Sequence, residues 1–505
     1  MTFSSDFQQL LSAGAFTVAE AFCSTLVALA VGIPAAFFTA NRRFWGRRFL
    51  LSLSSVPLCV PPLLIALGYV SFFGMSGTLN TVLMSAFSLE RPPVSFLYSF
   101  AGIVVAQGFY NFPIVMSGVH DSWSALPRPQ SDAARLLGAG EFRVFRTVTF
   151  WQLLPSVVSS SMLVFLYSFF SFLIVLLFGR VGSSTLEVEL FKAARASLDF
   201  SRAYKIAAIE TSVALFVVFS YAFLARKSNS RGISFVSGTF RRGKIRAQEF
   251  PLAVAFFLLV ALFFFAPLFS IAVSALTSSR GEFTLSVFAR VFSMKGFFPS
   301  LVNTVFAALF TGICSTLVAF LYASLVRTVD SRGKSAVLSV LPMVPMALSS
   351  VVVGFFLTLA VRRGNPALLV VAQVFLGWPV AFRCIYAELS RLPQETVESA
   401  LVFSSSPFVL VRKIYIPSSW RGIMSAAGFC FAISAGDATL PLVMAVPHFD
   451  TLSLFTYRLA GSYRYHESCA CGIVLGGMCM AVFALSNWLK ARGGTIRKKR
   501  SGGII

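Results

Sequence analysis

The chain is poor in charge. Of its 505 residues 12% are charged, and acidic side chains are the scarcer kind, 19 Asp and Glu against 42 Lys and Arg. Ordinary soluble domains carry about twice that charged fraction, so a soluble globular enzyme is excluded. Histidine is nearly absent: His120, His448 and His466 are scattered, with no H-E-x-x-H or other metal spacing, which leaves an embedded metal-dependent hydrolase without ligands. The eight cysteines form no framework. Cys23, Cys59, Cys314, Cys384, Cys430 and Cys479 fall in apolar runs, and Cys469 and Cys471 make a lone C-x-C without further ligands. They read as small core residues rather than disulfide or metal partners. No stretch long enough for a soluble domain separates the apolar runs.

What the chain has instead is apolar surface: 57% hydrophobic residues, 56 phenylalanines and a mean hydropathy of +0.80. Runs of about 20 apolar residues, the length that crosses the hydrocarbon of a bilayer as helix, recur throughout. Eleven spans are predicted, at 14–40, 49–73, 94–119, 151–178, 206–226, 251–275, 301–326, 335–361, 366–386, 418–446 and 470–489. The first is too long for a cleaved signal peptide and lacks its basic flank, so it reads as a membrane helix. The net charge of +23 would suit nucleic acid only if gathered on one face. Here the basic residues punctuate the spans, and nucleic acid is not an expected partner. The loops 41–48, 120–150, 226–249, 327–334, 387–417 and 490–505 hold 27 Lys and Arg, and the opposite set holds 13. The richer set is predicted to be cytoplasmic, with the amino terminus outside and the basic tail 490–505 inside.

The chain repeats itself. "CSTLVA" occurs at Cys23–Ala28 and at Cys314–Ala319, and a shift of 266 residues aligns "AQGFYNFPIV" at Ala106 with "AQVFLGWPVA" at Ala372. The same shift superposes Leu126-Pro127 on Leu392-Pro393, Arg146 on Arg412 and Thr185-Leu186 on Thr451-Leu452. An even number of spans separates the copies, so the repeat is parallel. Two like halves about an axis along the membrane normal are a transporter design, with a pathway expected at their seam. The predicted fold is an all-α polytopic membrane protein of about 11 transmembrane helices in two parallel-repeat halves. The predicted divisions are 1–226, a first half with five visible spans; 227–250, a basic linker; 251–489, a second half with six spans; and 490–505, a basic tail. The extra leading span, 251–275, has no partner before residue 14.

Between the third and fourth spans of each half lies a similar polar segment. The first reads "LPRPQSDAARLLGAGEFRVFRTVTFWQLLP" and the second "LPQETVESALVFSSSPFVLVRKIYIPSSW". Proline ends the incoming helix, a short helix carries Asp132 or Glu398 near its start, and a break follows at Gly138 or Ser404. Then comes an amphipathic stretch: Phe142, Phe145 and Val148 beside Arg143 and Arg146, answered by Phe408, Val411 and Ile414 beside Arg412 and Lys413. One such segment alone suits the lipid headgroups as well, but its repetition at equivalent positions favours two equivalent sockets on a symmetric cytoplasmic partner.

At these residues the sequence resembles the permease subunits of ATP-binding-cassette importers, whose signature loop runs E-A-A, three residues, G, nine residues, then I-x-L-P. The first copy offers Asp132-Ala133-Ala134, Gly138 and Val148-Thr149-Phe150-Trp151; the second offers Glu398-Ser399-Ala400, Ser404 and Ile414-Tyr415-Ile416-Pro417. The spacing is kept in both, with Phe150-Trp151 replacing L-P in one and Ser404 replacing glycine in the other. The resemblance implies that the loops couple to two copies of an ATPase subunit, which bind ATP and Mg²⁺. It also implies an extracytoplasmic binding protein that delivers a small-molecule substrate. The fused, two-half length resembles the thiamine and ferric-iron importer group, and "TLSLFTYRLAGSYRYHES" at Thr451 looks closest to thiamine permeases. Ferric iron is the alternative substrate, and an ion-coupled secondary transporter the alternative class.

No cofactor is expected in the chain itself. "GTFRRGKI" at 238–245 has the glycine and lysine spacing of a phosphate loop, but Ile245 stands where a Mg²⁺-binding hydroxyl is needed, and no buried strand precedes it. Within the spans, Asp437 is the candidate pathway carboxylate, with Ser171 at its counterpart position. An intramembrane acid suits a passing cation, or else bonds to its neighbours. Pro57, Pro61, Pro62, Pro342 and Pro345 are expected to kink their helices.

Overall fold

In lipid, a run of apolar residues can satisfy its backbone only as helix, and the computed structural model is helical almost throughout. It describes residues 2–55, 60–126, 128–179, 184–229, 243–277, 282–330, 338, 341–361, 364–393, 395, 397–399 and 407–501. Among them nine helices are long and apolar enough to cross a membrane, and a bent pair, Leu341–Ala347 with Ser350–Val361 at 87°, makes a tenth if counted as one span. Pro342 and Pro345 lie in the two short turns that precede the bend, which itself falls between Ala347 and Ser350. Pro62 does not kink a helix but begins one, Pro62–Phe73, the position where a missing N–H costs nothing. Pro57 lies outside the described residues. The expected span 418–446 is not continuous either: its helix, Ile416–Gly436, stops at Asp437, and a short helix, Thr439–Met444, follows.

The repeat is visible in where helices begin. Long helices start at Phe100 and Pro366, four-residue helices occupy Glu141–Val144 and Pro407–Leu410, and wide π turns occupy Phe145–Thr149 and Val411–Tyr415. The short helices Leu173–Phe178 and Thr439–Met444 correspond residue for residue. All are 266 positions apart. Even the caps correspond: Ser99 Oγ accepts from Gly102 N at 3.5 Å, and Asn365 Oδ1 accepts from Ala367 N at 2.9 Å.

The leading helices of the two repeats follow a different offset. Leu186 N donates to Thr17 Oγ1 at 2.9 Å, and Leu452 N donates to Thr304 Oγ1 at 2.6 Å; Thr17 and Thr304 are 287 apart. The two "CSTLVA" copies, 291 apart, therefore stand one helical turn out of register. Small residues recur every fourth position on this face, as at Ala28, Gly32 and Ala36, so the six-mer matches a neighbouring turn as well as its own.

Packing divides the chain into two units. The first comprises Met1–Pro57 and Ile65–Ser270, and the second Leu58–Leu64 and Ile271–Ile505. In the first, the Thr2–Asn41 and Phe100–Ser124 helices lie in close parallel contact: Phe16 meets Phe100 edge-on at 5.4 Å, and His120 Nδ1 lies 3.0 Å from Thr39 Oγ1. The helix Phe250–Val260 opens the second half by sequence. Its Ala253, Phe256 and Val260 are nevertheless buried with Ala28, Phe38, Phe112 and Val115 in the first unit's core. Division by contact therefore differs from division by repeat. Tyr69 Oη reinforces the grouping by donating to Phe263 O at 2.6 Å. In the second unit, Ala319, Ala323, Ile385, Leu389 and Tyr415 form the corresponding core. There Pro61 lies against Gly436, where an added Cβ would stand 2.7 Å from Pro61 Cγ.

Candidate functional site

Arg128–Leu136 forms the short helix expected of the first loop. It stops because Gly138 adopts φ +83°, a left-handed conformation that suits glycine, and the N–H groups of Leu137, Gly138 and Ala139 close onto the carbonyls of Ala133, Arg135 and Ala134. Asp132 and Ala133 are exposed and Ala134 half-buried. Arg135 reaches Asp132 at 2.8 Å and Glu141 at 3.1 Å, and Arg246 reaches Glu141 from the other side at 3.5 Å. The hydrogen bond with Glu141 raises the Arg135 guanidinium above its ordinary value. Pairs this exposed contribute little stability; their effect is to orient the turn.

The amphipathic stretch after the turn belongs to the next spanning helix, which runs from Glu141 to Phe169. Its apolar positions divide. Val144 is buried, Phe145 stacks on Trp123 at 5.8 Å, and Phe142 is 76% exposed. Arg146 is exposed, and Val148 is half-buried. Leu136 and Leu137 are each 89% exposed, and they were not singled out from sequence. The readable signal was two adjacent leucines beside a glycine at the end of an otherwise polar helix.

The second loop repeats the division. Phe408 is 68% exposed while Leu410 is buried. Glu398 and Ser399 are exposed on helical backbone, Arg412 and Pro417 are exposed, and Ile414 is half-buried. Ala400 and Ser404 lie outside the described residues. The loop is tied down at its base, where Arg327 Nη2 donates to Leu392 O at 2.7 Å and the Thr328 and Tyr415 hydroxyls lie 3.0 Å apart. Each half thus offers one bare phenylalanine at the same repeat position, next to a buried anchor two residues on.

Asp437 sits where the Ile416–Gly436 helix breaks. Its Oδ1 accepts from Thr439 N at 2.9 Å and Leu440 N at 3.3 Å, which starts the following helix. The bonds to its neighbours are thus to backbone N–H groups. Behind it lies a polar node built on Gln373, which the 266-residue shift aligns with Gln107. Gln373 Oε1 accepts from Thr311 Oγ1 at 3.1 Å and from Ser434 Oγ at 2.6 Å, and Gln373 Nε2 donates to Ser434 O at 3.4 Å.

Ser171 occupies the equivalent break, its N–H bonded to Ser168 O at 3.0 Å, but the node behind it differs. Ser24, the counterpart of Thr311 at the 287 offset, donates instead to Glu20 at 2.8 Å, and Asn111 Nδ2 donates to Ser168 Oγ at 3.4 Å. Gln107, the counterpart of Gln373, is buried with neither end of its amide paired among the described residues. The hydroxyls that stand where Thr311 and Ser434 stand in the other half, Ser24 and Ser168, are both engaged elsewhere. Each half therefore buries a glutamine at the same repeat position, bonded in one half and unpaired among the described residues in the other.

Of the phosphate-loop-like stretch, 238–242 lies outside the described residues. Gly243–Lys244 forms a two-residue parallel pairing with Arg42–Arg43. Among the described residues no group of three His, Cys, Asp or Glu is arranged to hold a metal ion.

Comparison with known proteins follows the same outline. The chain is 24% identical over 487 residues to a thiamine transport system permease protein of Brucella abortus (strain 2308), covering 94% of this chain and 86% of that one. It is 24% identical over 490 residues to the thiamine transport system permease protein of Escherichia coli (strain K12), covering 94% and 88%. Against a ferric transport system permease protein of Actinobacillus pleuropneumoniae the identity is 25%, covering 92% and 69%. A solved bacterial alginate ABC transporter chain aligns over 48% of this chain and 94% of its own, at 14% identity and a TM-score of 0.39. The profile of the binding-protein-dependent transport system inner membrane components matches residues 32–231 and 332–492, one stretch in each repeat and most of the chain between them. The chain belongs to that family, the integral membrane permease components of ABC importers.

Proposed function

We propose that the chain is the permease of an importer that carries thiamine or a phosphorylated form of it, delivered by an extracytoplasmic binding protein and driven by two copies of a separate ATPase subunit. The observation that carries the driving step is the pair of bare side chains, Phe142 and Phe408, at matched positions of loops whose neighbours Val144 and Leu410 are buried. An exposed aromatic on a rigid base is a docking handle, and two at equivalent repeat positions suit two identical sockets. In this reading Asp132, Ala133, Ala134, Gly138, Phe145, Arg146 and Val148 form the first handle. Glu398, Ser399, Ala400, Ser404, Arg412, Ile414 and Pro417 form the second. Both face the cytoplasm with the basic tail. ATP binding by the partner then favours one of two access states, the difference being transmitted through the handles. Asp437, and Ser171 at the matching break, line the path, where one carboxylate offsets the charge of a cationic ring.

Full-length similarity to thiamine permeases supports the substrate. Ferric iron is the second reading, favoured by the comparable similarity to a ferric permease. The test uses cells lacking the gene. Loss of labelled thiamine uptake, restored by the wild-type chain, is expected; unimpaired thiamine uptake with lost ferric uptake would reverse the assignment. In the same cells Glu398→Arg is expected to leave the permease in the membrane but to lower the ATPase recovered with it and the uptake in parallel. Undiminished recovery would remove the coupling role of that loop.

A further inference from the structure

The corner after the first helix carries four arginines and a tryptophan in seven residues, Arg42 to Arg48, within a stretch that has no acid between Glu20 and Glu90. The structure uses these arginines in two ways. Arg42 is consumed: its Nε donates to Glu249 Oε2 at 2.6 Å, its Nη2 also pairs with Glu249, and its guanidinium lies over the Phe37 ring at 5.4 Å. Arg47 is likewise turned inward, its Nε donating to Thr39 O at 2.6 Å. Arg43 and Arg48 are exposed, and among the described residues neither has an ion-pair partner.

Between them Trp45 is fully exposed, at 100%, with Phe49 exposed beside it. The parallel pairing of Arg42–Arg43 with Gly243–Lys244 brings a third exposed cation, Lys244, opposite Arg43. The level of this cluster is fixed by its neighbours. The apolar span Gln8–Asn41 ends just before it, and the apolar span Ala247–Ala275 begins just after Lys244 and Arg246. Cations at the junction of two spans stand at headgroup depth, where a Trp ring also prefers to lie.

We propose that Arg43, Arg48 and Lys244 form a site for the phosphate of an anionic phospholipid headgroup, with Trp45 lying against the glycerol and upper acyl region of the same lipid. Basic residues between membrane helices attract such headgroups at about fivefold in affinity per cation. Arg42 and Arg47 hold the corner's shape while the exposed pair meets the ligand. The charge of the site selects the lipid class, and the exposed indole selects a lipid over a free anion.

Trp45 is its own reporter. The full-length permease would be placed in phosphatidylcholine nanodiscs doped with brominated phosphatidylglycerol or, separately, brominated phosphatidylcholine. The Trp45 signal is the difference in fluorescence between wild type and Trp45→Phe, a change at a side chain without packing partners. The expected result is quenching of that signal by brominated phosphatidylglycerol at a several-fold lower mole fraction than by brominated phosphatidylcholine. Arg43→Gln and Arg48→Gln should each cut the preference about fivefold. Equal quenching by the two lipids overturns the proposal, and so does a preference that survives the double variant. Absence of quenching by either lipid also overturns it, since the corner would then lie clear of the bilayer. Inorganic phosphate, added at constant ionic strength, should not displace the lipid; full displacement would make this a free-anion site and overturn the lipid assignment.

Discussion

At the scale of single residues, buried amides hold the structure where apolar packing cannot. Asn80 is fully buried, its Nδ2 donating to Gly74 O at 2.9 Å and Val94 O at 2.8 Å while its Oδ1 accepts from Val94 N at 2.9 Å. It closes the loop between the Pro62–Phe73 and Phe100–Ser124 helices with one side chain. Asn80→Ala leaves those backbone groups unpaired, at about 1–3 kcal/mol for each that finds no water. The expected result is a clearly lower melting temperature in detergent and early proteolysis between residues 74 and 94; an unchanged melting profile would refute it. Nothing in "GTLNTVLM" marks this asparagine, because its partners are chosen by the path of the loop. Gln107 and Gln373 carry the same lesson: the repeat identified both, yet only Gln373 meets hydroxyls among the described residues, because Glu20 and Asn111 engage the matching ones in the first half.

At the scale of elements, the succession of spans was legible, while several of their edges and their partners were not. The matched helix starts at Phe100 and Pro366, and at Glu141 and Pro407, follow from local signals, proline and small polar residues before apolar runs. The continuity of the stretch carrying Phe142, Phe145 and Val148 with the following span was not legible, since amphipathic character describes a surface stretch and the first turns of a spanning helix alike. The register of the leading helices was misjudged by a turn for a physical reason. Membrane helices associate through small residues rather than by hydrophobic exclusion, and a face that repeats Ala or Gly every fourth residue offers several near-equivalent alignments.

The contact itself settles the register. A Cβ at Gly108 would stand 2.5 Å from Val27 Cγ1, whereas one at Gly14 would meet nothing within 4 Å. Gly108→Leu is therefore expected to force apart the Thr2–Asn41 and Phe100–Ser124 helices and destabilise the fold by about 1–3 kcal/mol or more. Gly14→Ala should be neutral. Unfolding in mixed detergent measures both, and equal behaviour of the two variants would contradict the packing described.

At the scale of the whole molecule, duplication sets an expectation that one half alone does not. If Phe142 and Phe408 each seat one ATPase subunit, Phe142→Asp and Phe408→Asp should each lower the amount of ATPase recovered with the permease by up to half. The double variant should then abolish recovery. Full loss from either single change would show instead that the two subunits dock as one unit.

By itself the sequence determined the membrane class, the all-helical fold, the parallel repeat and the position of both polar loops. Lipid leaves a continuous run of about twenty apolar residues no alternative to helix, and the loop pattern is local and written twice. Only the tertiary structure decided that the helix beginning at Phe250 is buried against residues near Ala28 and Val115, that Asp437 starts a helix through Thr439 and Leu440, and that Phe142 stays bare while Val144 is covered. Those outcomes depend on shape and hydrogen-bond competition between segments that can lie more than two hundred residues apart, as Ala28 and Phe256 do, and apolar sequences of similar composition do not encode them locally.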